Sequence, residues 1–211
     1  MMSRLPNILT YSRIVLIPLI FGLLLFGQDA ANWWALALYT FACVTDFLDG
    51  YLARAWGQQS AVGKFLDPIA DKLLIASLLV VLAGIGRIQG VELLAVVVIL
   101  CREILVSGLR EFLAQVKIGM PVTRMAKWKT GIQMVALGFL VVGPSGPAFG
   151  PLTTTSVGIA GLWLAAGATL VSGADYLWVG FRHIYRADLR SEARARKEAK
   201  RAALHQGGKA P

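Results

Sequence analysis

Apolar residues in this chain fall in blocks of about 17 to 25, the length a helix needs to cross about 30 Å of hydrocarbon. Six blocks stand out, approximately 14–27, 33–55, 61–84, 92–115, 125–143 and 156–181. The breaks between them carry turn chemistry: Gly27-Gln28-Asp29, Trp56-Gly57-Gln58-Gln59, Gly84 to Gly90, Lys117 to Pro121, and Gly143 to Pro151 with three prolines. Ahead of the first block, residues 3–13 mix polar and apolar positions, and Pro6 suits the first turn of a short helix lying on a membrane surface. The expected fold is therefore all-α and integral to a membrane. It divides into an interfacial N-terminal segment (1–13), a domain of six transmembrane helices (14–181) and a basic cytoplasmic tail (182–211).

Composition agrees with the pattern. The chain is 56% hydrophobic and 16% charged, against about a quarter charged in soluble domains, so a soluble protein is excluded. Nothing in it predicts a nucleic-acid partner. Positive residues sort to one side: Arg4 and Arg13, Arg54 and Lys64, Arg110 to Lys129, and the tail, while the opposite connections hold only Arg87. Because Lys and Arg stay on the cytoplasmic side, both termini are expected there. From Arg182 onward nine Lys or Arg stand against three acids, giving +6 of the total +9. An anionic lipid surface or simple enforcement of topology accounts for this tail equally well. The stretch after the first block lacks a small-x-small cleavage pattern, so that block reads as retained and not as a signal peptide. Cys43 and Cys101 lie inside apolar blocks and read as packing residues. His183 and His205 read as surface residues of the tail.

Four carboxylates change the picture. Asp46, Asp49, Asp67 and Asp71 lie within or against apolar segments, where an unpartnered charge costs roughly 2.5 to 3.5 kcal/mol. Asp46 and Asp49 are three apart and Asp67 and Asp71 four apart, so each pair projects from one helical face. Two such helices packed antiparallel would gather all four near the cytoplasmic side. Hard oxygen ligands suit magnesium, manganese or calcium, and two divalent ions would balance four charges. Gly50, Ala53 and Gly63 leave room for a ligand, and Arg54 supplies a guanidinium suited to phosphate. Together these features describe a diphosphate site.

The full string, Asp46-x2-Asp49-Gly50-x2-Ala53-Arg54-x8-Gly63-x3-Asp67-x3-Asp71, matches the signature of the CDP-alcohol phosphotransferases without a departure. The resemblance implies displacement of CMP from a CDP-linked substrate by an alcohol, with two divalent cations, Mg2+ or Mn2+, held by the four aspartates. It also implies Asp71 as the general base, and a homodimer. Gly50, Ala53, Arg54 and Gly63 fall on the nucleotide-lipid part of that signature. Near the N-terminus, Pro6-Asn7-x2-Thr10-x2-Arg13 resembles the segment carried by members that use CDP-diacylglycerol, which adds Asn7, Thr10 and Arg13 to the donor site. Without the resemblance the same residues read equally well as a helix start and an interfacial anchor.

Arg102 and Glu103 in the fourth block are adjacent, do not face each other on a helix and each need a partner elsewhere. Arg110, Lys127 and Lys129 suggest a basic pocket for an acceptor with its own phosphate; positive-inside topology alone explains them about as well. The strings Arg102-Glu103-x3-Ser107-Gly108-x-Arg110 and Lys127-x-Lys129-Thr130-x2-Gln133 are similar to parts of the bacterial phosphatidylglycerophosphate synthases, with Ala126 where Gly is usual. That similarity runs from Leu5 to about Arg182. It implies CDP-diacylglycerol as donor, sn-glycerol 3-phosphate as acceptor, phosphatidylglycerophosphate and CMP as products, and a place in the bacterial cytoplasmic membrane with the site near the cytoplasmic face. The alternatives within the family are cardiolipin, phosphatidylinositol phosphate and phosphatidylserine synthesis. Outside it stands a small ion-coupled transporter, which would usually place its acids at the bilayer midplane between repeated halves; no repeat is visible here. Asp175, in the last block, is expected level with the site, either orienting a basic residue or pairing structurally.

Overall fold

Six long helices stand where six apolar blocks are read. The computed structural model describes residues 5–56, 61–116 and 124–207, and among their side chains all but those of 5–10, 47, 49–56, 61–65, 67–68, 124, 126–127, 183–184 and 186–207. The helices are α1 (Leu5–Phe26), α2 (Asp29–Trp56), α3 (Ala61–Gly84), α4 (Glu92–Gln115), α5 (Arg124–Val142) and α6 (Thr154–Gly207). Two differ from the sequence pattern. α1 runs unbroken from Leu5 through Arg13 and past Pro18, and α6 continues beyond Arg182 for a total of 54 residues, its Ala, Arg and Glu content favouring helix throughout. The α5–α6 connection is also more ordered than a break implies. A 3-10 turn at Gly143–Ser145 leads into strands β1 (Ala148–Phe149) and β2 (Leu152–Thr153), paired antiparallel with Phe149 opposite Leu152.

The core forms where α1 meets α2 and α3, and where α6 meets α4 and α5. Leu16, Ile20 and Leu24 from α1, Leu78, Leu79 and Leu82 from α3, Leu137 and Leu140 from α5 and Leu162 from α6 are buried together. α5 and α6 approach closely because Gly158 faces Leu140 and Gly161 faces Ala136; a Cβ at either glycine would lie 2.8 Å from the neighbouring side chain. Tyr39 of α2 donates its hydroxyl to the Met134 carbonyl of α5 at 3.1 Å.

The outer surface is as apolar as the core. Val15 and Leu19, Phe41 and Val44, Leu73 and Val80, Val97 and Ile104, Val135 and Phe139, and Leu164 and Val171 are all exposed, two from each helix in turn. Helices apolar on every side suit a lipid environment, since water disfavours such continuous patches. Among the described residues, Thr154–Arg182 is the stretch long and apolar enough to cross a membrane by length and composition, and Tyr11–Phe26 is a shorter apolar helix. The other four helices carry charged residues within them, and with Arg13 of α1 those charges build the site.

At the end remote from the aspartates, one cation ties three connections together. Arg87, between α3 and α4, donates from Nη1 to the carbonyls of Leu140 (3.0 Å) and Val141 and from Nη2 to Asn32 Oδ1 at 2.5 Å. Asn32 donates onward to Ser145 Oγ at 2.7 Å, and Ser145 to Asp29 at 2.5 Å. Partial burial lowers the Arg87 guanidinium from its ordinary pKa, and its three acceptors replace the water it loses. Capping the last carbonyls of α5 with a cation also opposes the helix dipole. Arg87→Ala is expected to destabilise the fold by about 2 to 3 kcal/mol, because carbonyls and the Asn32 amide lose a charged donor. Thermal unfolding in detergent checks this.

Candidate active site

Arg13 sits at the junction of α1, α2 and α3 with its side chain wholly buried, although residues of its type almost never are unless paired. Its partners are two of the predicted aspartates. Nη1 lies 2.5 Å from Asp46 Oδ1 on α2 and 3.4 Å from Asp71 Oδ1 on α3. The two carboxylates thus converge on a single nitrogen from neighbouring helices. They are 27% and 49% exposed, so both remain open to a ligand.

Asp49, one turn beyond Asp46 on α2, and Asp67, one turn before Asp71 on α3, have helical backbones, but their side chains lie outside the described ones. The same is true of Asn7, Thr10, Ala53, Arg54 and Lys127, and the surroundings of Gly50 and Gly63 are likewise not described. Among the described residues no group of three or more His, Cys, Asp or Glu side chains is placed to hold a metal. The donor chemistry of the pair that is described nevertheless fits a hard divalent cation: two carboxylate oxygens, from two helices, already sharing one positive charge. Arg13 itself was expected at the lipid head group, and its contacts to the aspartates could not be read from the N-terminal motif.

A second charged group ties α5 to α4. Lys129, on α5, is buried, with its side chain 4% exposed, and donates to Glu103 Oε1 of α4. Arg102 contacts the same Glu103 oxygen at 3.4 Å. The expectation that Arg102 and Glu103 do not meet is therefore corrected, because both side chains are long enough to curl towards one another from adjacent positions. Each also finds the distant partner the sequence demanded. Arg102 Nη2 donates to Ser172 Oγ on α6 at 3.1 Å, and its guanidinium lies 5.7 Å from the centre of the Tyr176 ring. Ion pairs thus join α1 to α2 and α3 through Arg13, and α5 to α4 through Glu103, while Arg102 ties α4 to α6 through Ser172 and Tyr176.

Of the predicted basic residues, Lys129 and Arg110 have described side chains, whereas Lys127, two positions before Lys129 on α5, does not. Lys129 shares its buried face with Gln133, whose amide atoms have no hydrogen-bond partner among the described residues. Arg110 is exposed on α4, seven residues and about two turns beyond Glu103 on the same side. Asp175 is exposed on α6, while Ser172 and Tyr176 beside it are the residues that reach Arg102. An apolar groove of about 470 Å3 runs along α2 and α5 between Trp33, Tyr39, Cys43, Gly138 and Phe139. Cys43 places one end of it a turn from Asp46.

The sequence matches the family described as CDP-alcohol phosphatidyltransferase over residues 3–171. This chain belongs to that family. A relative from Rickettsia typhi is 43% identical over 175 residues, covering 83% of this chain and 96% of its own. One from Cereibacter sphaeroides is 38% identical, covering 81% and 92%, and one from Pseudomonas fluorescens is 39% identical, covering 86% and 92%. All three are named CDP-diacylglycerol–glycerol-3-phosphate 3-phosphatidyltransferase. The matched region takes in α1 to α5 and most of the apolar part of α6, and with them every contact of the charged network except that to Tyr176 and Ser172. Divalent-metal dependence is general in this family.

Proposed function

We propose that the protein is a phosphatidylglycerophosphate synthase, which transfers the phosphatidyl group of CDP-diacylglycerol to sn-glycerol 3-phosphate with release of CMP. The observation that carries this reading is the convergence of Asp46 and Asp71 on Arg13, beside a buried lysine, in a chain 38–43% identical to enzymes of that name. The acceptor hydroxyl oxygen bonds to the phosphorus that carries diacylglycerol, the bond from that phosphorus to the CMP oxygen breaks, and the hydroxyl proton passes to Asp71. Asp46, Asp49, Asp67 and Asp71 would hold two divalent cations, Mg2+ or Mn2+, which supply neutralisation of the diphosphate charge and of the leaving CMP. Arg13 keeps Asp46 and Asp71 in register for that role. Asn7, Thr10, Gly50, Ala53, Arg54 and Gly63 line the donor side, and the apolar groove along α2 and α5 suits one acyl chain. Lys129, with Arg110 and Lys127, meets the acceptor phosphate.

In this reading all six helices span the bacterial cytoplasmic membrane, with residues 1–13 at the interface and the tail from residue 182 in the cytoplasm. The exposed apolar residues on each helix support it, and so does the position of Arg87 at the end opposite the acids. The active unit is a homodimer. Purified protein supplied with CDP-diacylglycerol, Mg2+ or Mn2+, and each candidate alcohol in turn tests the acceptor. CMP release is expected with glycerol 3-phosphate, and release with serine or phosphatidylglycerol in its place would overturn the assignment. Substrate-independent ion flux in liposomes would point instead to a transporter.

A further inference from the structure

Lys129 is a buried ammonium in direct contact with one acid, Glu103. Its flexible four-carbon stem would leave the ammonium free to swing if nothing held it. Glu103 holds it, and Glu103 is held in turn. Arg102 contacts the same Oε1 and is anchored on α6 by Ser172 and the Tyr176 ring. The passage of Arg102 across α6 depends on Gly173, where a Cβ would lie 2.9 Å from Arg102 Cγ. The anchor is therefore built into two helices and not improvised by one surface charge.

We propose that Glu103 is a positioning residue for acceptor binding: it fixes the Lys129 ammonium where the phosphate of glycerol 3-phosphate is bound. The inference rests on the synthase reading. Its sign is not that of simple electrostatics. A carboxylate near a phosphate site repels the phosphate, so removal of Glu103 acting through charge alone would tighten acceptor binding. Positioning predicts the opposite, because Lys129 released from Glu103 no longer holds its ammonium at one point and its donors are lost to the acceptor.

The test is steady-state kinetics on the full-length protein in detergent with Glu103→Gln, Glu103→Asp, Lys129→Ala and the double variant Glu103→Gln/Lys129→Ala. The KM for glycerol 3-phosphate is expected to rise about tenfold in Glu103→Gln, with the KM for CDP-diacylglycerol unchanged within about twofold. Glu103→Asp, which keeps the charge on a shorter arm, should recover part of the loss. The double variant should be no worse than Lys129→Ala alone, the non-additivity expected of residues acting as one unit. Ser172→Ala, which loosens only the Arg102 anchor, should shift the same KM by a smaller factor and serves if the Glu103 variants do not fold. A fall in acceptor KM, an equal rise for both substrates, or full additivity would overturn the proposal. If wild-type protein itself releases no CMP with glycerol 3-phosphate, the synthase reading fails first, and the two failures are thereby distinguished.

Discussion

Asp71→Asn is expected to lower CMP release by about 1,000-fold, within the range of about 10² to 10⁴ ascribed to a positioned general base. Asparagine keeps the shape of the side chain and can still accept a hydrogen bond from Arg13, but it takes up no proton from the attacking hydroxyl. Asp71 is the more open of the two acids bound by Arg13, 49% exposed against 27% for Asp46. Measurement of CMP release together with CDP-diacylglycerol binding checks the prediction: binding should survive in part while turnover is lost. Asp49→Asn, by contrast, is expected to weaken metal binding as well as turnover. Activity of Asp71→Asn within about tenfold of wild type would remove the general-base role.

Arg13→Leu is expected to be nearly as damaging and for a different reason. Arg13 is wholly buried and its nitrogen joins α2 to α3 through two carboxylates. Without it, two negative charges face each other across the helix interface. Loss of one partner from a buried pair costs about 3 to 5 kcal/mol, and the partial exposure of both acids reduces this to roughly 2 to 3. A loss of that size, expressed in the active geometry, corresponds to about a hundredfold in rate. Arg13→Lys should recover little, because a single ammonium lacks the planar fork of the guanidinium. A residue that only met the head group would raise the KM for CDP-diacylglycerol and leave thermal stability alone. Loss of both turnover and melting temperature is the expected result, and an unchanged melting temperature would restrict Arg13 to the donor site.

The positions of the six helices were legible because each apolar block is a local property, readable within about 20 residues. The family was legible for a similar reason, since its signature lies between Asp46 and Asp71. The partners of the charges were not, because helix periodicity pairs residues only within a turn or two. Arg13 and Asp71 are 58 residues apart and Lys129 and Glu103 are 26 apart, so each pairing depends on how separate helices pack. The same limit concealed the Arg87 anchor, which reads in sequence only as the single cation of its side. The path of α1 through residue 13 and of α6 through residue 182 shows that a change in polarity along a chain does not by itself end a helix.

The burial of Arg13 also orders events during synthesis. It emerges with α1, the first helix made, while Asp46 and Asp71 follow 33 and 58 residues later. At about 5 to 20 residues per second, some 3 to 12 seconds pass before α3 arrives. At first the new helix carries a guanidinium that lacks both acids, and after α2 it still lacks Asp71. Only with the third helix are both carboxylates within reach. The burial of Arg13, begun in the first helix made, is therefore completed only after the two helices that carry Asp46 and Asp71.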